Sequence, residues 1–576
     1  MLRSIQKQGA FTSYKQIFRG GICSMRKTKR RLAAGMMASA MVMTTLAGCG
    51  SSAFSNNGKE TTAAQTQEQQ TTAQAQPQES QTEETKGEPV EMEWLVGQTS
   101  AEVDDNAEVV KMIEDRFNID LKTWYVDSNK FYENLNVRFA GGEMPDVLVI
   151  DNLALLPTYV DGGIIGELPI EEIREKAPNY TKVADEHDDG TLWSTMIYNG
   201  KNYGVTNPMD AVPMAMFWRK DWLDKLGLDV PETLDDYEKV LTAFVEEDPD
   251  GNGKKDTAGL AERSFGAVFG AYGLRCVTGG KPGFKVEEMQ LGEDNVPFFP
   301  YIHPDAKKAL AKLHDWYEKG IVDKEFITGE NHGGYTWLSH SFMNGKIGLT
   351  SAQPYHYLNA STDTSDESNW GVCMKELKGL NPDADIVIGP APVGPDGKSG
   401  TEGWNLTGRL TCLTTKAVSD PRKVDAFLAM LDAYYADMDY ARLVNYGLEG
   451  KHFEMTDNGP VRIMEGTELR KEGVLQVDFG STVTFAENIT PQKTKFGHEV
   501  TGNGYYRFNA PPVEEFSNVI ATLDTLTEQA YFDMITGAKP IDYFDTFVEE
   551  FKKAGGEAAE KAVQEAYAEK LAALGK

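Results

Sequence analysis

The sequence predicts an α/β protein built from at least two lobes. Three observations lead there. The chain has 576 residues, too many for a single hydrophobic core. From Val90 onward, strand-like and helix-like hydrophobic periods alternate, which argues a parallel sheet with helices between its strands. A second opening of the same kind begins at Pro213.

The first opening reads as follows. "VEMEWLVG" alternates and then runs apolar, as a strand entering a sheet does. "NAEVVKMIEDRFNI" carries Val109, Val110, Met112, Ile113 and Phe117 at helical spacing, and "IDLKTWYV" returns to a strand pattern. "NKFYENLNVRFAGGEMPDVLVIDN" predicts a helix stopped at Gly141-Gly142, then a buried strand, "DVLVI". In such sheets ligands are met beyond the carboxyl ends of strands, which draws attention to Gln98 and Asp151. Either side chain would serve equally as a helix cap or turn residue.

The second opening starts with a strand, "PMAMFWRK", and reaches a helix that Thr233 caps, with Asp236 at the third helical position as a weak capping box. Leu234, Tyr237, Val240, Leu241 and Phe244 share one face of that helix. Further on, "HPDAKKALAKLHDWYEKGIVD" predicts an amphipathic helix, and "SFMNGKIGLTSAQPYHYLN" a helix end at Gly345 followed by a strand. A helix starts at Asp420-Pro421, and the C-terminus reads as two helices broken at Gly555-Gly556. There is no internal repeat, so a solenoid is not expected.

The address lies in the first fifty residues. Residues 1–48 contain nine basic side chains and no acidic one; basic Met25–Arg31 precedes the apolar run Leu32–Leu46, and "LAGC" ends at Cys49. This is a signal peptide, too short to span a bilayer stably, and translation is expected to start at Met25. "LAGC" resembles the bacterial lipobox, which implies a mature N-terminus at Cys49 carrying diacylglycerol and fatty-acyl chains such as palmitate. The segment 49–89 is rich in Ser, Thr, Gln, Ala and Glu and lacks the apolar surface to offset its ordering entropy; it reads as a flexible tether. The protein is thus expected on the extracellular face of the cell membrane, held by lipid alone.

Composition narrows the partners. Net charge is −31; without residues 1–48, 48 basic side chains face 88 acidic ones, a net near −40. Such a surface repels nucleic acid and anionic headgroups. Five cysteines show no metal-ligand spacing, and Cys276, Cys373 and Cys412 read as buried free thiols.

One motif stands out. "DPDGNGKKD", Asp248 to Asp256, places oxygen side chains at positions 1, 3, 5 and 9 of a calcium-type loop, with Gly253 at position 6. Position 12, normally a bidentate Glu, is Gly259. A solvated polar turn after a helix is the alternative.

Taken together, "AGGEMPDVL", "FWRKDWLDKLGLDVPETLDDYEKVLTAF", "DPDGNGKKD", "FMNGKIGLT", "GPDGK", "YGLEGKHF" and "ITGAKPIDYFDTFVEEFK", in this order behind a lipobox, resemble the family 1 extracellular solute-binding lipoproteins of Gram-positive ATP-binding-cassette (ABC) importers, in particular the alginate- and oligosaccharide-binding subgroup. The resemblance implies a two-lobed periplasmic-binding-protein fold of type II with a hinge. It divides the chain into lobe one, 90–207 plus 405–470, and lobe two, 208–404 plus 471–576. It implies a monomer that delivers its ligand to permease subunits. It further implies a structural calcium ion held by Asp248, Asp250, Asn252, the carbonyl of Lys254, and Asp256. Those relatives carry a Glu directly after the last Asp, where this chain has Thr257.

The resemblance also implies a ligand cleft between the lobes, for which a neutral or weakly charged oligosaccharide is expected. Sugar rings pack a C–H face on aromatic side chains while their hydroxyls need fixed polar partners. Trp193, Tyr355, Trp404 and Tyr505 are the candidate platforms; Gln98, Asp151, Asp210, Gln353 and Arg507 are the polar candidates. Core packing or plain exposure is the alternative for each. No catalysis is expected: there is no H-E-x-x-H, since His498-Glu499 runs into Val-Thr-Gly, and no G-x-S-x-G. "GPDGKS" lacks the first glycine of a phosphate loop, having Pro392 there. A peptide or other small solute is the runner-up ligand, and a surface glycoside hydrolase the enzyme alternative.

Overall fold

The computed structural model describes residues 87–95, 102–127, 130–188, 190–209, 211–276, 284, 286, 289–328, 339–403, 407–456, 459–464, 466–477, 479 and 492–576. The signal peptide, Cys49 and the tether lie outside these residues.

Two sheets organise the body. The first has the strand order Ile119–Trp124, Val90–Leu95, Val147–Ile150, Thr407–Leu413, Val205–Pro208. Its first three strands are parallel, as their helical connections require, while Thr407–Leu413 runs antiparallel to both of its neighbours. Side chains alternate across the sheet. Met92, Trp94, Val147 and Leu413 join a core with the helix Pro421–Ala436, and Leu95, Leu148, Ile150, Leu410 and Cys412 join a smaller one on the other face.

The second sheet has the order Ile386–Gly389, Ala215–Arg219, Ile347–Ala352, Ala258–Leu260. Ala215–Arg219 is antiparallel to both neighbours, and only Ile347–Ala352 and Ala258–Leu260 are parallel. The all-parallel expectation fails here because this strand arrives directly from the other sheet and not through a packed helix. A separate core gathers residues 214–386 and 496–567 against this sheet.

The chain therefore forms two lobes, each built on one of the sheets, with a core on either face of the first sheet and a separate core in the second lobe. It passes from the first to the second after Pro208 and returns before Thr407. Val474, Val477 and Phe479 still pack in the first core, so the last return falls beyond 479 and not at 470.

Local signals match the elements closely. The helix Leu234–Glu246 buries Leu234, Tyr237, Val240, Leu241 and Phe244, and Thr233 Oγ1 accepts from the Asp236 N–H at 3.1 Å. The Thr233 hydroxyl in turn donates to the Asp236 carboxylate at 2.6 Å, a variant of the expected box. The helix Glu108–Phe117 buries Val109, Val110 and Ile113, whereas Met112 turns 44% of its surface to solvent. The C-terminal break occurs where expected: Gly555 has φ 108°, between the helices Tyr543–Phe551 and Glu557–Ala573. Cys276, Cys373 and Cys412 are buried free thiols, and burial raises all three. Among the described residues no helix is long and apolar enough to cross a membrane.

Candidate functional site

Asp151 stands at the carboxyl end of the strand Val147–Ile150. Its backbone N–H donates to the Tyr132 hydroxyl at 3.1 Å. The turn that follows is made by its neighbour: Asn152 Oδ1 accepts from the Ala154 N–H at 3.0 Å. Asp151 is therefore relieved of capping, and its carboxylate lines a cavity of about 340 Å³.

The opposite wall comes from the extended segment 504–510. Gly504–Tyr505 pairs in parallel with Thr401–Glu402, and buried Arg275 clamps the pair, donating to the Tyr505 carbonyl and the Gly403 carbonyl, each at 3.1 Å. Arg507 and Asn509 project from this segment into the cavity that holds Asp151, with Thr195 and Leu410 completing the first-lobe side. Arg507 Nε is buried without a hydrogen-bond partner, and Asn509 Nδ2 donates to Thr407 Oγ1. Residues of both lobes thus line this cavity, Asp151 from the first and Arg507 from the second.

The remaining candidates separate. Trp193 is not a platform. It is 5% exposed in the first core, its indole N–H donates to Asp185 at 2.8 Å, Tyr180 meets it edge-on, and Arg174 covers it at 4.8 Å, so no ring face remains for a ligand. Gln353 is 4% exposed, and its Nε2 donates to the Val212 carbonyl at 2.8 Å; it pins the crossover instead of facing a ligand. Tyr355 lies half-buried after the strand Ile347–Ala352, with Lys493 5.0 Å from its ring centre and His356 against it. Burial, then the charges of Arg263 and Lys493, pull His356 down to about 4, so it is neutral at physiological pH. Tyr505 lines a different cavity, of about 1000 Å³, on the second lobe. Gln98, Asp210 and Trp404 lie outside the described residues.

Asn509, Thr195 and Arg275 escaped sequence reading. Nothing local marks them: Thr195 ends a four-residue helix, and Arg275 acts through backbone carbonyls more than 120 residues away.

The acidic loop has its own geometry. The Gly253 N–H donates to Asp248 Oδ2 at 3.0 Å, and Asn252 Nδ2 reaches Asp250 at 2.6 Å and Asp256 at 3.0 Å. Asp248 Oδ1 is buried without a partner, and burial followed by the neighbouring Asp248 and Asp256 carboxylates raises the Asp250 carboxyl. Asp248 Oδ1 is the loop oxygen left over; backbone N–H groups and the Asn252 amide nitrogen already occupy Asp250, Asp256 and Asp248 Oδ2, so a hard cation would have to displace that amide to use them. Among the described residues no three His, Cys, Asp or Glu side chains are already arranged around a metal position, so Asn252 and the Lys254 carbonyl would have to complete the set. Thr257 does not contribute: it is buried, and its hydroxyl donates to the Phe244 carbonyl at 2.6 Å.

With this geometry in place, residues 108–397 match the family model described as bacterial extracellular solute-binding protein. The chain belongs to that family. This solute-binding protein is 28% identical over 482 residues to lipoprotein LipO of Bacillus subtilis, covering 80% of this chain and 89% of LipO. It is 27% identical to the polygalacturonan/rhamnogalacturonan-binding protein YtcQ of B. subtilis, over 60% of this chain and 63% of YtcQ. It is 29% identical to the fructooligosaccharide ABC transporter substrate-binding protein FusA of Streptococcus pneumoniae, over 35% of this chain and 39% of FusA. Among solved structures, the calcium-free alginate-binding protein AlgQ2 superposes with a TM-score of 0.55 at 18% identity, over 84% of this chain and 98% of AlgQ2. FusA bound to kestose gives 0.54 at 19% identity, over 84% and 99%. At these identities the superpositions establish the two-lobed fold of the solute-binding protein.

Proposed function

We propose that this protein captures an oligosaccharide between its lobes and delivers it to the permease subunits of an ABC importer, acting as a binder and not as an enzyme. The observation that carries the reading is that Asp151 of one lobe and Arg507 of the other line the same cavity. A sugar hydroxyl both donates and accepts; a carboxylate takes its proton and a guanidinium supplies donors in a fork, so the pair suits a run of ring hydroxyls. Asn509 and Thr195 add two polar groups on the same walls. The names of YtcQ and FusA support the ligand class, and that of FusA supports the transporter. The lobe division we propose is 90–207 plus 407–479 against 214–403 plus 492–576.

Lipid attachment at Cys49, which the name of LipO supports, would hold the binder at the extracellular face of the cell membrane. Diacylation supplies the two chains that stable anchoring needs. Calcium at Asp248, Asp250, Asn252, Lys254 and Asp256 would brace the loop at the end of the helix Leu234–Glu246, outside the ligand cavity.

The test is a thermal-shift panel of neutral and uronic oligosaccharides beside a peptide pool. A sugar is expected to raise the melting temperature, and Arg507→Ala and Asp151→Ala each to weaken the best hit about tenfold or more with the fold intact. A shift from peptides with none from any sugar would overturn the ligand class and leave the fold untouched.

A further inference from the structure

A second cavity, of about 1000 Å³, opens on the second lobe beside Phe298, His303 and Tyr505. We infer that it is an outer carbohydrate subsite, continuous with the Asp151–Arg507 cavity along residues 505–507, so that the protein selects chains long enough to occupy both. This deepens the oligosaccharide reading above and rests on it.

The connection is covalent. Tyr505 lines the outer cavity and Arg507 the inner one. In extended chain, residues two apart point to the same side and sit roughly 6–7 Å from each other. A linear ligand that follows this segment from Arg507 toward its N-terminal side would reach the Tyr505 ring next.

That ring is held in place. Its backbone is paired to Glu402 and clamped by Arg275. Its edge fills the space over Gly400 and Gly270: a Cβ on Gly400 would lie 2.5 Å from the ring, and one on Gly270 3.6 Å. A platform that cannot rotate costs little entropy on binding.

The lining of the outer cavity suits a sugar. Phe298 is half-buried, with the His303 ring 5.7 Å away. His303 Nδ1 accepts from the Asp305 N–H at 3.2 Å, which leaves the ring proton on Nε2, and burial keeps the ring neutral. Lys398 and Lys552 stand there with Glu293, Asp294 and Glu560, two cations against three carboxyl groups, so the net charge is small. Apolar ring faces, a neutral donor and a small net charge describe a site for a neutral polyhydroxylated chain. Every residue that lines it belongs to the second lobe, so it engages ligand without lobe closure.

The experiment is isothermal titration of the full mature protein with two ladders of increasing length: fructans from kestose upward, and oligogalacturonides from the dimer upward. Wild type is expected to gain affinity with length in at least one ladder. Phe298→Ala, and independently Val296→Trp, which fills the outer cavity from a 41%-exposed position, are expected to weaken long chains about tenfold more than the shortest binder. Arg507→Ala should weaken every length. Affinity that is flat with length, or a length dependence unchanged in both outer variants, overturns the outer subsite while the oligosaccharide reading stands. Binding by neither ladder, with heat released by a peptide pool instead, overturns both.

Discussion

Lys570 Nζ, on the C-terminal helix of the second lobe, donates to the carbonyl oxygen of Ser194 at 2.9 Å in the first. It also reaches the Thr195 carbonyl at 3.2 Å, and Tyr567, one turn earlier, donates its hydroxyl to the Gly190 carbonyl at 3.0 Å. The helix Glu557–Ala573 thus ties the lobes together directly behind Thr195, a wall of the ligand cavity.

This tie predicts a pH dependence. Burial alone lowers Lys570 to about 7, and among the described residues no carboxylate forms an ion pair with it. An unfolded lysine titrates near 10.4. Between these values the unfolded chain binds more protons, so this group makes stability rise with pH from about 7 to about 10 and contributes a constant penalty below that window. The neutral amine keeps two N–H donors for the two carbonyls. The difference in melting temperature between wild type and Lys570→Met should therefore move in favour of wild type across that window. A difference that stays flat refutes it.

Asp146 predicts a large loss. It is fully buried at the start of the site-bearing strand; Oδ2 accepts from the Glu93 N–H at 2.8 Å and from Lys423 at 2.6 Å. Lys423→Ala leaves that carboxylate with Lys416, 3.5 Å from its other oxygen, as its remaining cation and should cost the first lobe about 1.5–3 kcal/mol in denaturant unfolding. Adding Asp146→Asn should recover part of the loss.

The acidic loop predicts a chelator response. A cation bound to the native state alone stabilises by mass action, so removing calcium should lower the melting temperature without abolishing sugar binding. The double substitution Asp248→Ala, Asp250→Ala should erase the response. A wild-type melting curve unmoved by chelator returns the loop to a polar turn.

Gly270 predicts a steric limit. A Cβ there would lie 1.9 Å from the Gly400 carbonyl oxygen, backbone against backbone. Gly270→Ala should cost about 3 kcal/mol. Because Gly400 also abuts Tyr505, the substitution should blunt the length dependence of ligand affinity before it unfolds the lobe.

Periodicity and caps were readable because they depend on neighbours a few residues away. The five apolar residues of Leu234–Glu246, the Thr233 cap and the Gly555 break all follow from spacing, which the backbone converts into faces and ends whatever the tertiary context. The position of Asp151 in the fold was readable for a similar reason: the carboxyl end of a buried parallel strand is a place defined by local pattern. The family, too, was readable, since its short motifs recur in order along the chain.

Partnership across sequence distance was decided only in three dimensions. Trp193 and Gln353 carry the same chemistry as a platform or a polar ligand contact, yet packing consumes both, one by Arg174, Tyr180 and Asp185, the other by the Val212 carbonyl. Conversely, Arg507 joins Asp151 from more than 350 positions away, and Arg275 holds Tyr505 from 230. A side chain's type states what it is able to bind; whether its polar atoms are already satisfied depends on which distant carbonyl, carboxylate or ring the fold brings to it. That is why the strands and helices of this protein were determined by the sequence itself, and the lining of the cavity between Asp151 and Arg507 by the meeting of two separately packed lobes.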